Sequence, residues 1–173
     1  FGVTVFPTAN TRLYLRYDEV KRMPSIYEDT SGYASLELFL LTQRKPEHSK
    51  NIEVGYIHDL RGFFPSSRRA DIKLNYFHNV TRNVYDRDIF YRITQFDKRT
   101  LSGVELQARY DQGRLFADIG VTYNIKNKFC DAATALIEGI RGELNSNTKA
   151  YPTCVNGGNK GGFLKNTIAP KYS

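Results

Sequence analysis

Tryptophan is absent from the 173 residues, methionine occurs once and cysteine twice. With so few thiols and only three histidines, none close to another, no zinc or catalytic histidine motif can be assembled from spacing. Long apolar runs are missing as well. Leu38-Phe39-Leu40-Leu41 is among the strongest, whereas a helical membrane span needs about 20 such residues. Phe1 to Asn10 carries no basic segment followed by an apolar stretch, so no signal peptide is visible there. Glycines at Gly157-Gly158 and Gly161-Gly162 lack phosphate-loop spacing and read as loop flexibility.

What is present is charge of both signs and aromatic rings. Lys and Arg number 25 against 18 Asp and Glu, a net charge of +7, and mean hydropathy is −0.49. The cations are scattered among acids, and the densest pair, Arg68-Arg69, stands beside Asp71. No strand or helix face gathers them into a stripe, so a mixed-sign solvated surface is the expectation rather than nucleic-acid binding. Twelve Tyr and eleven Phe suit strands or a membrane interface.

The dominant period is two. Leu13, Leu15 and Tyr17 alternate with Arg12, Tyr14 and Arg16; Ile52, Val54 and Tyr56 with Glu53 and Gly55; Ile72, Leu74 and Tyr76 with Lys73 and Asn75. Val104 to Tyr110 and Leu115 to Ile125 continue the pattern around the turn Asp111-Gln112-Gly113. Each strand therefore has one apolar and one polar face. Strands are expected at Val3–Phe6 and near 11–20, 49–61, 70–87, 100–110 and 114–127, with a last one beginning near Thr167.

Short turns alternate with longer connections, Lys21 to His48, Asp88 to Lys98 and Lys128 to Phe163. All long loops then fall at one end of the sheet, which is the layout of a transmembrane β-barrel, with tight periplasmic turns and extended extracellular loops. A soluble antiparallel sandwich would alternate equally but has no reason to segregate its loops. On the polar face Arg12, Arg16, Glu53, Glu105, Arg109, Asp118 and Lys126 are expected to line a lumen, and Tyr17, Tyr56, Tyr76, Tyr110 and Tyr123 to mark the apolar side. Six strands and a stub cannot close a membrane barrel, so an internal segment of a larger one is expected.

Four motifs carry a family resemblance. Lys21-Arg22-Met23-Pro24-Ser25-Ile26-Tyr27-Glu28 resembles the FRxPSxxE segment of TonB-dependent outer-membrane receptors. Arg44 to Tyr56, with Pro46-Glu47, Ser49, Asn51, Glu53 and Gly55-Tyr56, is similar to their PE-x-S-x-N-x-E-x-G-Y box, and Ala70–Phe77 to the strand that follows it. Gly103-Val104-Glu105 matches their GVE strand. The resemblance runs from about Val3 to Ser173. It implies that residues 1–173 form part of a barrel of about 22 strands, without the plug domain, in the outer membrane of a Gram-negative cell.

Membership would imply no enzyme, no catalytic residue, no metal site and no intrinsic cofactor. The implied activity is nutrient uptake energised by TonB, which contacts a box ahead of the plug, outside this sequence. The later loop, with Cys130-Asp131, Tyr151 to Gly158 and Ala169 to Ser173, is similar to haem and haemophore receptors, making haem or a haemoprotein the expected cargo. In such receptors the loop between the first two boxes often carries a haem-ligating His before Asn-Pro-x-Leu. Here Thr30–Gln43 has none, and Leu41-Thr42-Gln43-Arg44 stands in that element's place, which counts against direct haem ligation by this loop. Tyr27 or Tyr33 could substitute as an oxygen ligand, although loop tyrosines ordinarily serve packing or contact. A ferric-siderophore receptor and a passive porin-like channel are the alternatives.

Candidate ligand contacts on the external loops are Arg22, Tyr27, Tyr33, His48, Leu136, Ile140 and Tyr151. Ala133, Leu136, Ile137, Ile140 and Leu144 recur at helical spacing inside the longest loop and offer an apolar contact for a protein ligand. Cys130 and Cys154 are expected to bridge in an oxidising exterior.

Overall fold

The computed structural model describes residues 1–25, 45–87, 93–133, 135, 136, 140 and 152–156. Seven strands form one antiparallel sheet in strict sequence order: β1 (Gly2–Thr8), β2 (Thr11–Arg22), β3 (Glu47–Asp59), β4 (Arg69–Arg87), β5 (Ile93–Asp111), β6 (Phe116–Cys130) and β7 (Cys154–Asn156). Every neighbour in sequence is a neighbour in space, the up-and-down order in which no connection crosses another.

The register sorts side chains into rows across the sheet. One row runs Val5, Leu13, Tyr56, Leu74, Leu106, Val121, and the next Val3, Leu15, Val54, Tyr76, Val104, Tyr123. No second layer covers them. Leu106 is 42% exposed, Val121 47% and Ile119 63%, so the apolar face is not the interior of a sandwich. Tyr17 stands one row beyond this band toward the long loops, and Tyr110 lies near the turns, where Phe64 meets it edge-on at 5.7 Å.

The opposite face is polar and hydrogen-bonded. Tyr14 donates its hydroxyl to Asn75 Oδ1 at 3.1 Å, and Asn75 Nδ2 donates to Glu105 Oε2 at 3.3 Å. Arg16 faces Glu53 in the register and also pairs with Asp18 at 2.6 Å. A groove of about 420 Å³ follows this face between Asp18, Asn51, Glu53, Asn79 and Glu105. Two glycines admit rings from the next strand. The Tyr14 ring covers Gly55, and Phe77 covers Gly103, so a Cβ at either place would meet an aromatic carbon.

The turns cluster at one end. Asp111 Oδ1 accepts the Gly113 N–H at 2.7 Å, and Gly113 takes φ +91°, the left-handed geometry that a three-residue hairpin needs. Asp59 holds Arg61, and Asp71 holds both Arg69 (2.8 Å) and Arg109 (3.1 Å).

Several boundaries differ from the sequence expectation. β4 and β5 each have 19 residues, so the connection expected over Asp88 to Lys98 belongs largely to β5. At roughly 3.4 Å per residue these strands are about twice the length needed to cross an apolar band, and they project beyond it. β7 lies inside the segment expected to be one long loop, while the strand expected near Thr167 lies outside the described residues. Lys126 is a correction. A bulge between Ser102 and Gly103 inserts Ile125 opposite no partner, pairing Ser102 with Lys126 and Gly103 with Asn124. The extra residue reverses the alternation, so Lys126 shares the face of Tyr17 and Ile52 instead of the polar one.

Candidate functional site

The end of the sheet away from the turns is built as a platform. There β4 and β5 project, and the only strongly apolar cluster among the described residues forms: Val84, Phe96, Phe129 and Ala135 are buried, with Val155 packed against them. Phe96, 1% exposed, meets Phe129 edge-on at 5.4 Å. Arg99 stacks its guanidinium over the same Phe129 ring at 5.6 Å.

The expected disulfide closes this cluster. Cys130 and Cys154 are bonded and face each other in the β6–β7 ladder, with their Cα atoms 4.0 Å apart. Just beyond, two aspartates act reciprocally. Asp97 Oδ2 accepts the Ala132 N–H at 2.9 Å, and Asp131 Oδ1 accepts the Asp97 N–H at 3.3 Å. The chain then enters a helical turn, satisfying its first amide donors with side-chain oxygen. Ala133, Leu136 and Ile140 are helical as their spacing predicts; Ile137 and Leu144 lie outside the described residues. Leu136 is 66% exposed and Ile140 50%, leaving two large apolar side chains on a tethered segment.

The Lys45-Pro46-Glu47 box is anchored to the projecting hairpin. Gln95 both accepts the Lys45 N–H (3.1 Å) and donates to the Lys45 carbonyl (2.6 Å), and Tyr85 donates its hydroxyl to that carbonyl at 3.0 Å. Asn83 Nδ2 donates to the Pro46 carbonyl at 3.1 Å, from a backbone held at φ 54°. Arg22, a predicted contact residue, bonds Glu47 at 3.0 Å and lies 5.7 Å from the Tyr85 ring centre. Arg22, which is exposed, thus forms one rim with the half-buried Glu47 and Tyr85. Gln95 and Asn83 were missed by sequence reading, since neither lies in a motif.

His48 is placed differently. Its Nε2 lies 2.5 Å from Glu19 Oε1, whose other oxygen accepts the Tyr17 hydroxyl at 2.9 Å. In the register His48 falls between Lys21 and Arg82, on the side of the sheet that bears the apolar rows. Tyr27, Tyr33 and Tyr151 lie outside the described residues. Among the described residues no cluster of His, Cys, Asp or Glu could hold a metal ion.

An open sheet of alternating strands, polar on one side and bare apolar on the other, is a wall without a core. The family described as "TonB dependent receptor-like, beta-barrel" matches residues 1–172. The chain belongs to the TonB-dependent receptors. Its exposed apolar rows are accordingly the acyl-facing side of a barrel wall, and its polar face lines the lumen. The chain is 39% identical over 178 residues to a protein of Acinetobacter baumannii named hemophilin receptor, covering 99% of this chain and 17% of that protein. It is 29% identical over 143 residues to a probable TonB-dependent receptor of Haemophilus influenzae, covering 70% of this chain and 15% of that one. It therefore spans about a sixth of the length of these relatives. No solved structure matches it significantly. Membership in the family implies the outer membrane of a Gram-negative cell.

Proposed function

We propose that this wall belongs to an outer-membrane receptor that takes up haem, brought to it by a haemoprotein or haemophore, with energy supplied through TonB. TonB would be contacted by a part of the receptor outside these residues. The observation that carries this reading is the 39% identity to a hemophilin receptor over 99% of the chain. The geometry supports it. A stiff platform, buttressed by Phe96 and Phe129 and tied by Cys130–Cys154, presents Leu136 and Ile140 to the exterior, as capture of a protein surface requires.

In this reading Leu136, Ile140 and Tyr151 contact the carrier, Arg22 contributes at the neighbouring rim, and Tyr27 or Tyr33 supplies an oxygen ligand to haem. His48, engaged with Glu19 on the outward side, has a supporting place rather than a ligating one. The test uses the full-length receptor in detergent, with free haem, a haem-loaded carrier protein and ferric siderophores as probes. Leu136→Asp with Ile140→Asp is expected to weaken carrier binding at least tenfold, with free haem affected little. Binding of a ferric siderophore in preference to haem, or carrier affinity unchanged in the double variant, would overturn the assignment. Separately, Tyr27→Phe with Tyr33→Phe is expected to alter the absorption spectrum of bound haem.

A further inference from the structure

The lumen side of the wall, just below the platform, holds two donors that nothing accepts. Leu101 faces Asn127 across β5 and β6, and Arg99 faces Phe129 one row nearer the platform. Arg99 and Asn127 are therefore diagonal neighbours, roughly 7–8 Å apart, on the face that Glu105 shares. Arg99 Nε and Asn127 Nδ2 are buried without a hydrogen-bond partner, the only side-chain nitrogens or oxygens so placed among the described residues. A buried donor left unmade is costly, so the pair marks a place where an acceptor arrives from outside the wall.

The surroundings decide which acceptor fits. The Arg99 guanidinium stacks on the Phe129 ring, and no carboxylate among the described residues pairs with it. The aspartates nearest along the same face are engaged elsewhere: Asp97 accepts the Ala132 N–H and Asp131 the Asp97 N–H. On the adjoining strands the polar groups satisfy one another, since Thr81 donates its hydroxyl to Asn79 Oδ1 at 2.9 Å and lies 2.9 Å from the Ser49 hydroxyl. What is unmet is one cation and one amide N–H, the demand that a single carboxylate meets. The groove of about 420 Å³ beside them is lined by Val20, Phe77 and Leu101 as well as by polar groups. Its own acids stand apart, Asp18 and Glu53 on β2 and β3, and Glu105 further down β5. The donors and the apolar lining together suit a ligand with a carboxylate on an apolar body.

We propose that Arg99 and Asn127 form a carboxylate subsite on the lumen wall, which takes a propionate of haem as it passes below the platform. The inference rests on the haem reading above and adds to it the residues that recognise the acid groups of the cargo. The carboxylate accepts from Arg99 and from the Asn127 amide, while the porphyrin body lies along Leu101 and Phe77. An acidic side chain from another part of the receptor carries the same chemistry, and the test separates the two sources.

The test compares haem with haem dimethyl ester, whose propionates are uncharged, binding to the full-length receptor in detergent and read by absorbance titration. The unmutated receptor is expected to prefer haem by about tenfold or more, the range of a charge-assisted hydrogen bond. In Arg99→Gln that preference should fall to about twofold or less through weaker haem binding, with the ester bound as before; Asn127→Ala should remove a smaller part of it. A variant that merely folds poorly would lose both ligands equally, and heat-modifiable migration reports folding directly. Equal binding of haem and ester by the unmutated receptor would overturn the proposal. So would a preference that survives Arg99→Gln while the ligand-free variant unfolds at lower temperature, which would give the donors to a carboxylate of the receptor itself. Binding of neither haem nor ester would overturn the haem reading, and this subsite with it.

Discussion

The ring of Tyr14 occupies the space that a side chain at Gly55 would need, and the two residues face each other across β2 and β3. The glycine of the G-Y box is therefore a seat for a neighbour's aromatic ring, whose hydroxyl reaches on to Asn75. Gly103 in the GVE strand seats Phe77 in the same way.

Gly55→Ala is expected to destabilise the full-length barrel by about 1–3 kcal/mol, the range for an overpacked site. Thermal unfolding in detergent measures it. Adding Tyr14→Ala should recover part of the loss, because the ring is what the methyl displaces. A simple loss of backbone freedom would show no such coupling.

Val121 belongs to the exposed apolar rows, whereas Gln107 faces the lumen one strand away. Val121→Arg should cost about 2–4 kcal/mol if its row lies near the bilayer midplane, and Gln107→Arg far less. Urea-dependent folding of the full barrel into phospholipid vesicles separates the two. Equal costs would contradict the assignment of faces.

Removing the bridge with Cys130→Ser and Cys154→Ser releases a loop of sequence separation 24. The chain-entropy model assigns about 3.5 kcal/mol to such a closure. The loss should be local, since the wall below is held by ladders. Hydrogen exchange is expected to speed up around residues 128–135 and 153–156 while β2 to β4 stay protected.

At the turn end, beyond the apolar band, Asp59 accepts hydrogen bonds from the Arg61 side chain and backbone, and these hold its carboxyl down at about 2. A depressed carboxylate stabilises the fold above its ordinary value, and the contribution fades as pH falls from about 4 through about 2. Carboxyl NMR titration should find this midpoint, and Arg61→Ala should return it toward 3.8.

Six of the seven strands, their alternation and the turn end were legible because period two and Asp111-Gln112-Gly113 are local signals. The pairing of Cys130 with Cys154 was legible from an oxidising exterior and from their place in one loop. The reach of β5 back to Ile93 was not legible, since Phe96-Asp97-Lys98-Arg99-Thr100 has the polarity of a loop and is held as strand by the partner hairpin and by Asp131. The bulge was equally hidden: Val121 to Lys126 alternates smoothly on paper, and only the pairing with β5 shows that Ile125 is surplus. From that one residue follows the outward aim of Lys126 and Lys128. The roles of Gln95 and Asn83 depend on a distant backbone, Lys45 and Pro46, which no window of sequence brings together.

Cys130 and Cys154 plant the two feet of the intervening segment on adjacent strand positions, with Cα atoms 4.0 Å apart. Asp131 and Ala135 are tied into the wall between these feet, through Asp97 and the buried cluster. Exchange of residues 136–152 for those of a relative is therefore expected to leave the wall in place and to carry that relative's preference onto this scaffold.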